Sequence, residues 1–227
     1  MTIDAINFQF LRDLKNNNNR EWFAENKLNY EKHQAKLVSF AEKMMDCLRE
    51  HDKIEYKSGK KSVIRVYRDI RFSKDKSPYK TYSGMGFRRS SQLLRGGYYL
   101  HIEPCSSFVG GGFWEPNKED LLKIRKGIEF DEGEFRKIIT SEEFVSVFGK
   151  LKGNQLKTCP KGFSKDSSAI DLLRYKQYLL TKEFSDDEVL LDTFFDEADK
   201  VFKAMRPFLD YMSDVLTTDE NGVPLFE

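Results

Sequence analysis

The residues best equipped for chemistry are crowded into one stretch, Arg65-Val66-Tyr67-Arg68-Asp69-Ile70-Arg71-Phe72-Ser73-Lys74-Asp75-Lys76-Ser77-Pro78-Tyr79-Lys80. Arginine offers a planar fork of N–H donors matched to phosphate or carboxylate, and lysine adds a point charge beside it. Arg65, Arg68, Arg71, Lys76 and Lys80 are therefore the candidate ligand-binding cations, with Tyr67, Phe72, Tyr79 and Tyr82 interleaved as stacking surfaces. The β-branched and aromatic run Val63-Ile64-Arg65-Val66-Tyr67 reads as a strand. Extended to Phe72, it would place Ile64, Val66, Arg68, Ile70 and Phe72 on one face, with Arg68 interrupting an apolar row. A charge there needs a carboxylate partner or a bound anion, because an unpaired buried charge is costly. The competing account is structural: Arg68 and Arg71 pair with acidic side chains of the helices, while Lys57, Lys60, Lys61, Lys74 and Lys76 are solvated loop residues.

A second constellation lies in Tyr98-Tyr99-Leu100-His101-Ile102-Glu103. Strand alternation puts Tyr99, His101 and Glu103 on one face, where His101 and Glu103 are the candidate acid–base pair and Tyr99 a ligand-orienting group. The competing account makes the trio the polar outer face of a half-buried sheet. Other matches fail. Gly59-Lys60-Lys61-Ser62 precedes a strand instead of following one, and position 54, where a phosphate loop needs another Gly, is Ile. Gly110-Gly111-Gly112 does not complete a dinucleotide fingerprint, since position 115 is Glu; the run suits close backbone approach or a bulge. His101-Ile102-Glu103-Pro104-Cys105 lacks the spaced second Cys of a zinc deaminase. No metal site is expected from the dispersed His33, His51 and His101, nor from Cys47, Cys105 and Cys159.

The elements that must hold these groups follow from periodicity. Phe8, Leu11 and Leu14 recur at helical spacing, and Asn18 with Glu21 has the form of a capping box. A long helix is expected from about residue 20 to 49, with Tyr30, His33, Leu37, Phe40, Met44 and Leu48 as its buried stripe. Strands are expected at 63–67, 80–89, 98–103 and 107–114, and a further one at 175–181; their short links favour antiparallel pairing. Helices return after Pro116 and at 168–173. Ser185-Asp186-Asp187-Glu188 opens a last helical region, in which Leu190, Phe194, Ala198, Val201, Met205, Phe208, Met212 and Val215 form a stripe that Pro207 kinks or breaks. A frayed tail is expected after about residue 217. The fold class is α+β: one domain over residues 1–227, with an antiparallel sheet of four to six strands packed by the long helix and the C-terminal helix.

Composition sets the limits. The chain has 227 residues, and 38 Lys and Arg nearly balance 37 Asp and Glu. Yet residues 57–95 hold twelve cations against only Asp69 and Asp75, a local excess of ten. Nineteen Phe and 39% hydrophobic residues supply a core and argue against general disorder. The N-terminus has no basic region followed by an apolar run, and no apolar stretch is long enough to span a membrane. With three scattered cysteines, a reducing cytoplasm is the expected compartment and no membrane association is expected.

Longer motifs carry a resemblance. Asn18-Asn19-Arg20-Glu21-Trp22-Phe23, Asn26-Lys27, Tyr30-Glu31, the run from Arg68 to Lys80, Tyr98 to Pro104, Gly110-Gly111-Gly112 with Trp114, and Leu172-Leu173-Arg174 together resemble the domain of unknown function 2461 family. Cys105 and Ser106 depart from the Gly-rich turn expected in that family. The resemblance implies an intracellular single-domain protein like its bacterial relatives, and implies no reaction. The expected function is binding of a phosphate- or carboxylate-bearing small molecule at the basic segment, with acid–base chemistry at His101 and Glu103 if the protein is an enzyme. Two alternatives stay open: a non-catalytic nucleic-acid-binding module using the same segment, and a protein-interaction domain whose arginines are structural. No motif names a cofactor or an oligomeric state.

Overall fold

The computed structural model describes residues 2–55, 58–219 and 222–225. Four strands form one antiparallel sheet in the order β1 (Ser83–Arg88), β2 (Gly97–Ile102), β3 (Ser107–Phe113) and β4 (Tyr178–Phe184). With the helices below, this is an α+β fold. The chain divides into two compact units, Met1–Phe87 with Tyr99–Val109 and Glu183–Lys200, and Arg88–Tyr98 with Gly110–Lys182 and Val201–Glu227.

The first unit holds α1 (Ala5–Asn16), α2 (Arg20–Glu25), α3 (Lys27–His51), α4 (Gly59–Ser62) and, after β4, α9 (Asp186–Leu190). Of the stripe expected on the long helix, His33, Leu37, Phe40, Met44 and Leu48 are all at most 2% exposed, whereas Tyr30 is half-buried. The helix is split, however. Asn26 ends α2 and begins α3; its backbone N–H and its side-chain amide both donate to the Trp22 carbonyl, at 2.9 and 3.0 Å, a local side-chain bond that favours a helix end. The cap of α2 is Asn19, which accepts from the Trp22 N–H, so Asn18 is not the capping residue. The expected capping box at Ser185 is present: its hydroxyl accepts from Glu188 N–H, and the Glu188 carboxylate accepts from Ser185 N–H.

The strand expected at 63–67 does not form, and neither does its extension to Phe72. Val63 bridges Met85 and Tyr67 bridges Tyr79, each as an isolated antiparallel pair. The carbonyls of Arg65 and Tyr67 are taken by the Lys80 ammonium, at 2.6 and 3.1 Å, and not by a neighbouring strand. The apolar face fails with it, since Ile64 is 39% and Phe72 94% exposed. The chain from Val66 to Lys80 is instead a loop, tied at its base by Arg68 N–H to the Pro78 carbonyl (2.9 Å) and Lys80 N–H to the Val66 carbonyl (2.7 Å).

The second unit holds α5 (Lys118–Phe130), α6 (Glu132–Ile139), α7 (Glu142–Phe148), α8 (Ile170–Leu173), α10 (Phe194–Ala204, from Val201) and α11 (Arg206–Thr217). The C-terminal stripe breaks between α10 and α11 at Met205, with Pro207 in the first turn of α11, where its missing N–H goes unneeded. Phe194, Ala198, Val201, Met205, Phe208 and Met212 are buried as the stripe predicts, and Val215 is half-buried. Leu190 is not: α9 ends there, Leu191 is extended, and Leu190 is 36% exposed. The glycines of β3 serve close approach. A Cβ on Gly112, which has φ +112°, would stand 2.3 Å from the Tyr178 carbonyl oxygen.

Candidate functional site

A cleft of about 590 Å³ opens in the first unit. Lys15 reaches it from the end of α1, Asn18 from the turn before α2, Arg68, Asp69, Asp75, Ser77, Tyr79 and Lys80 from the loop, Thr81 and Tyr82 from the approach to β1, and Glu103 from the end of β2.

The loop wall is braced from inside. Arg68 Nη1 donates to Asp75 Oδ2 (2.5 Å) and to the Ser77 carbonyl (3.0 Å), which supplies the carboxylate partner its charge requires. The Ser77 hydroxyl and N–H, with Arg68 beside them, hold the Asp75 carboxyl down to about 2. The base of the loop is pinned by Asn18: its amide nitrogen donates to the Tyr79 carbonyl (2.9 Å) and its amide oxygen accepts from the Tyr79 N–H (3.1 Å). The Tyr79 ring stacks on Phe23 with centroids 4.0 Å apart. Lys80 is half-buried, and burial with Arg65 nearby lowers its ammonium pKa.

The floor of the cleft is a hydrogen-bonded chain running inward. Glu103 Oε1 accepts from the Thr81 hydroxyl (3.3 Å), and Glu103 Oε2 meets His101 Nε2 (3.1 Å). His101 Nδ1 meets the Tyr99 hydroxyl (3.0 Å). An ionised carboxylate only accepts, so Nε2 carries the proton; the neutral ring then accepts at Nδ1 from Tyr99. His101 is 9% exposed, stacked on Phe108 at 4.8 Å and against Tyr82 at 4.4 Å. Burial lowers its pKa, against the pull of Glu103. Burial also raises the Tyr99 phenol, helped by Tyr82 and Glu103. Gly84 on β1 makes room for this chain, because a Cβ there would lie 2.7 Å from the Tyr99 hydroxyl.

Of the residues singled out from sequence, the cleft gathers Arg68, Tyr79, Lys80, Tyr82 and Glu103, with His101 and Tyr99 behind Glu103. Arg65, Arg71 and Lys76 do not line it. Arg71 forms an exposed two-pronged pair with Asp69, Lys76 donates to the Ile70 carbonyl (2.9 Å), and Arg65 is exposed. The arginines thus pair with carboxylates of their own loop, not with those of the helices. Lys57 lies outside the described residues. Lys15, Asn18 and Thr81 were not anticipated. Asn18 and Lys15 stand 48 and 51 residues before Val66, where the loop begins, and nothing periodic links them to it. Among the described residues no group of His, Cys, Asp and Glu is arranged to hold a metal ion.

The cleft's formal charges balance, with Lys15, Arg68 and Lys80 facing Asp69, Asp75 and Glu103. Donors remain for a guest. Arg68 engages its partners through Nη1, leaving the Nε–Nη2 edge; Lys80 spends two of its three N–H bonds on carbonyls.

The profile of the family described as "Conserved hypothetical protein (DUF2461)" matches residues 7–211. No curated protein and no solved structure matches the chain. Among the described residues no helix is long and apolar enough to cross a membrane.

Proposed function

The chain belongs to the DUF2461 family, and we propose that it binds a small polar molecule bearing a phosphate or carboxylate in the cleft of the first unit. The observation that carries this reading is the convergence of Lys15, Arg68, Lys80 and Glu103, from three separate parts of the chain, on one cavity. The anionic group of the guest meets Lys15, the open edge of Arg68 and the remaining Lys80 proton. A hydroxyl or amine of the guest meets Glu103, whose orientation is set by Thr81 and His101. Balanced charge favours such a mixed guest over a bare polyanion. In this reading Glu103 is also the group placed to take a proton from the guest, with His101 and Tyr99 as its positioning residues. No two of the three cysteines are joined as a disulfide, which supports a reducing, cytoplasmic setting.

The test is a thermal-shift panel of phosphorylated metabolites, dicarboxylates and amino acids against the wild-type chain, Lys15→Ala and Glu103→Gln. Lys15 is exposed at a helix end, so its truncation leaves the loop braces intact. A ligand at a hundred times its Kd adds about 2.7 kcal/mol. For a chain of this size that is a rise of roughly 5–10 °C. The expected result is a selective rise that shrinks in both variants; a flat panel, or equal rises in all three proteins, overturns the reading.

A further inference from the structure

The loop that walls the cleft also holds an apolar ring out in water. Phe72 is 94% exposed, within a turn in which Ser73 N–H donates to the Ile70 carbonyl at 3.3 Å. Scattered exposed apolar residues need no explanation. Here, though, the loop is fixed by its own side chains: Arg68 to Asp75, Arg71 to Asp69, Lys76 to the Ile70 carbonyl. The ring is presented on a shaped loop. The Arg71 guanidinium carbon stands 5.8 Å from the Phe72 ring centroid, so one face of the ring is paired with a cation. Five residues earlier Tyr67 is 56% exposed, its ring resting near Tyr79 (5.5 Å) and Phe23 (6.4 Å). Residues 58–80 carry eight Lys and Arg against two Asp, an excess of six within a chain whose net charge is +1.

We propose that this segment is a contact surface for single-stranded nucleic acid, with Phe72 and Tyr67 as stacking platforms and Arg65, Lys74 and Lys76 as phosphate contacts. The charge excess selects a polyanion. Two half-open rings on a braced loop suit base stacking, which tolerates any base and here requires little ordering of the protein. The cations extend from Lys60 to Lys76 along the chain and are not confined to the residues flanking Phe72, as a strand's successive phosphates require. An anionic lipid surface fits less well. It would take up Phe72 alone, because the Tyr67 ring is tethered in its aromatic cluster. The surface is separate from the proposed ligand reading, since none of Arg65, Tyr67, Phe72, Lys74 and Lys76 lines the cleft.

The experiment is fluorescence anisotropy of a labelled fifteen-nucleotide oligo-dT and oligo-U against the full chain, Phe72→Ala and Lys74→Ala, across a salt series. Sedimentation with phosphatidylserine-rich vesicles runs in parallel. Three phosphate contacts predict a log–log salt slope of about −2, at roughly 0.7 per phosphate on a single strand. Lys74→Ala should make that slope shallower by about 0.7. Phe72→Ala should weaken binding by about 5- to 150-fold, the range expected for one stacked base, with no fall in thermal midpoint because the ring is exposed. Absence of oligonucleotide binding at low salt overturns the proposal. So does binding that Phe72→Ala leaves unchanged, which marks diffuse electrostatics, or vesicle pelleting without oligonucleotide binding, which assigns the loop to lipid.

Discussion

His33 should make the fold sensitive to mild acid, and the structure fixes the sign. The ring is 2% exposed within α3, and burial pushes its pKa down to about 4, against the weaker pull of Asp4. Its hydrogen bonds point the same way. Asn7 closes a capping box with Asp4, its amide oxygen accepting from the Asp4 N–H, so its NH₂ is turned toward His33 Nδ1 at 2.9 Å. Nδ1 must then accept, leaving Nε2–H to donate to the Ser83 hydroxyl at 2.9 Å. A proton on Nδ1 would face a donor and lose that bond. The unfolded chain takes up a proton below its ordinary value near 6.5, whereas the folded chain does so only near 4. The stabilisation is therefore complete above about pH 6.5 and lost as pH falls toward 4. At 1.36 kcal/mol per unit, the loss between about pH 7 and 5 is close to 2 kcal/mol, before most carboxylates titrate. Burial lowers His101 in the same direction, so the measurement must isolate His33. Urea unfolding of wild type and His33→Gln at matched pH does so: the difference in stability between the two should shrink by about 2 kcal/mol from pH 7 to 5. If that difference stays flat, or if His33 titrates near 6.5 by NMR in the folded protein, the reasoning is wrong.

Four further outcomes follow from particular contacts. Arg71→Ala removes an exposed pair with Asp69 and the exposed cation–ring contact with Phe72, so the urea unfolding midpoint should barely move. Arg68→Ala removes the brace to Asp75 and the Ser77 carbonyl; amide exchange at Arg68 and Lys80 should quicken while the global unfolding midpoint moves little. Gly84→Ala places a Cβ 2.7 Å from the Tyr99 hydroxyl and should cost about 1–3 kcal/mol. Combining it with Tyr99→Phe should recover part of that cost, and strict additivity would show that the crowding lies elsewhere. Cys105 holds φ +65°, the left-handed region, in the turn closed by Ser106 N–H to the Glu103 carbonyl. Cys105→Gly should therefore stabilise by up to about 1 kcal/mol in the same assay, since the backbone N–H bond to Asp186 survives the change; a loss of stability would assign the Sγ contact with Asp186 (3.9 Å) the larger role.

Helices and the site's floor were legible in the sequence for one reason: both are written in local periodicity. A 3.6-residue stripe found the buried faces of α3, α10 and α11, and alternation found that Tyr99, His101 and Glu103 share a side of β2. The loop was misread because β-branched residues at 63–67 carry strand propensity, while the decision lay with Lys80, whose ammonium takes the Arg65 and Tyr67 carbonyls. Propensity reports how a residue suits a pleated surface; it does not see a side chain fifteen positions away that claims the same acceptors. Asn18 shows the converse. Its type and its neighbour Glu21 fit a helix cap, yet Asn19 caps α2, and Asn18 spends both ends of its amide on the backbone of Tyr79. That clamp joins the α1–α2 turn to the basic loop and brings Lys15 to the same cleft as Arg68 and Lys80. Charge count alone therefore overstated the loop as a source of free cations, since Arg68 and Lys80 spend part of their donors on its shape. What the loop offers a guest is the remainder, and Lys15 and Glu103, which the count never included, decide which guest fits.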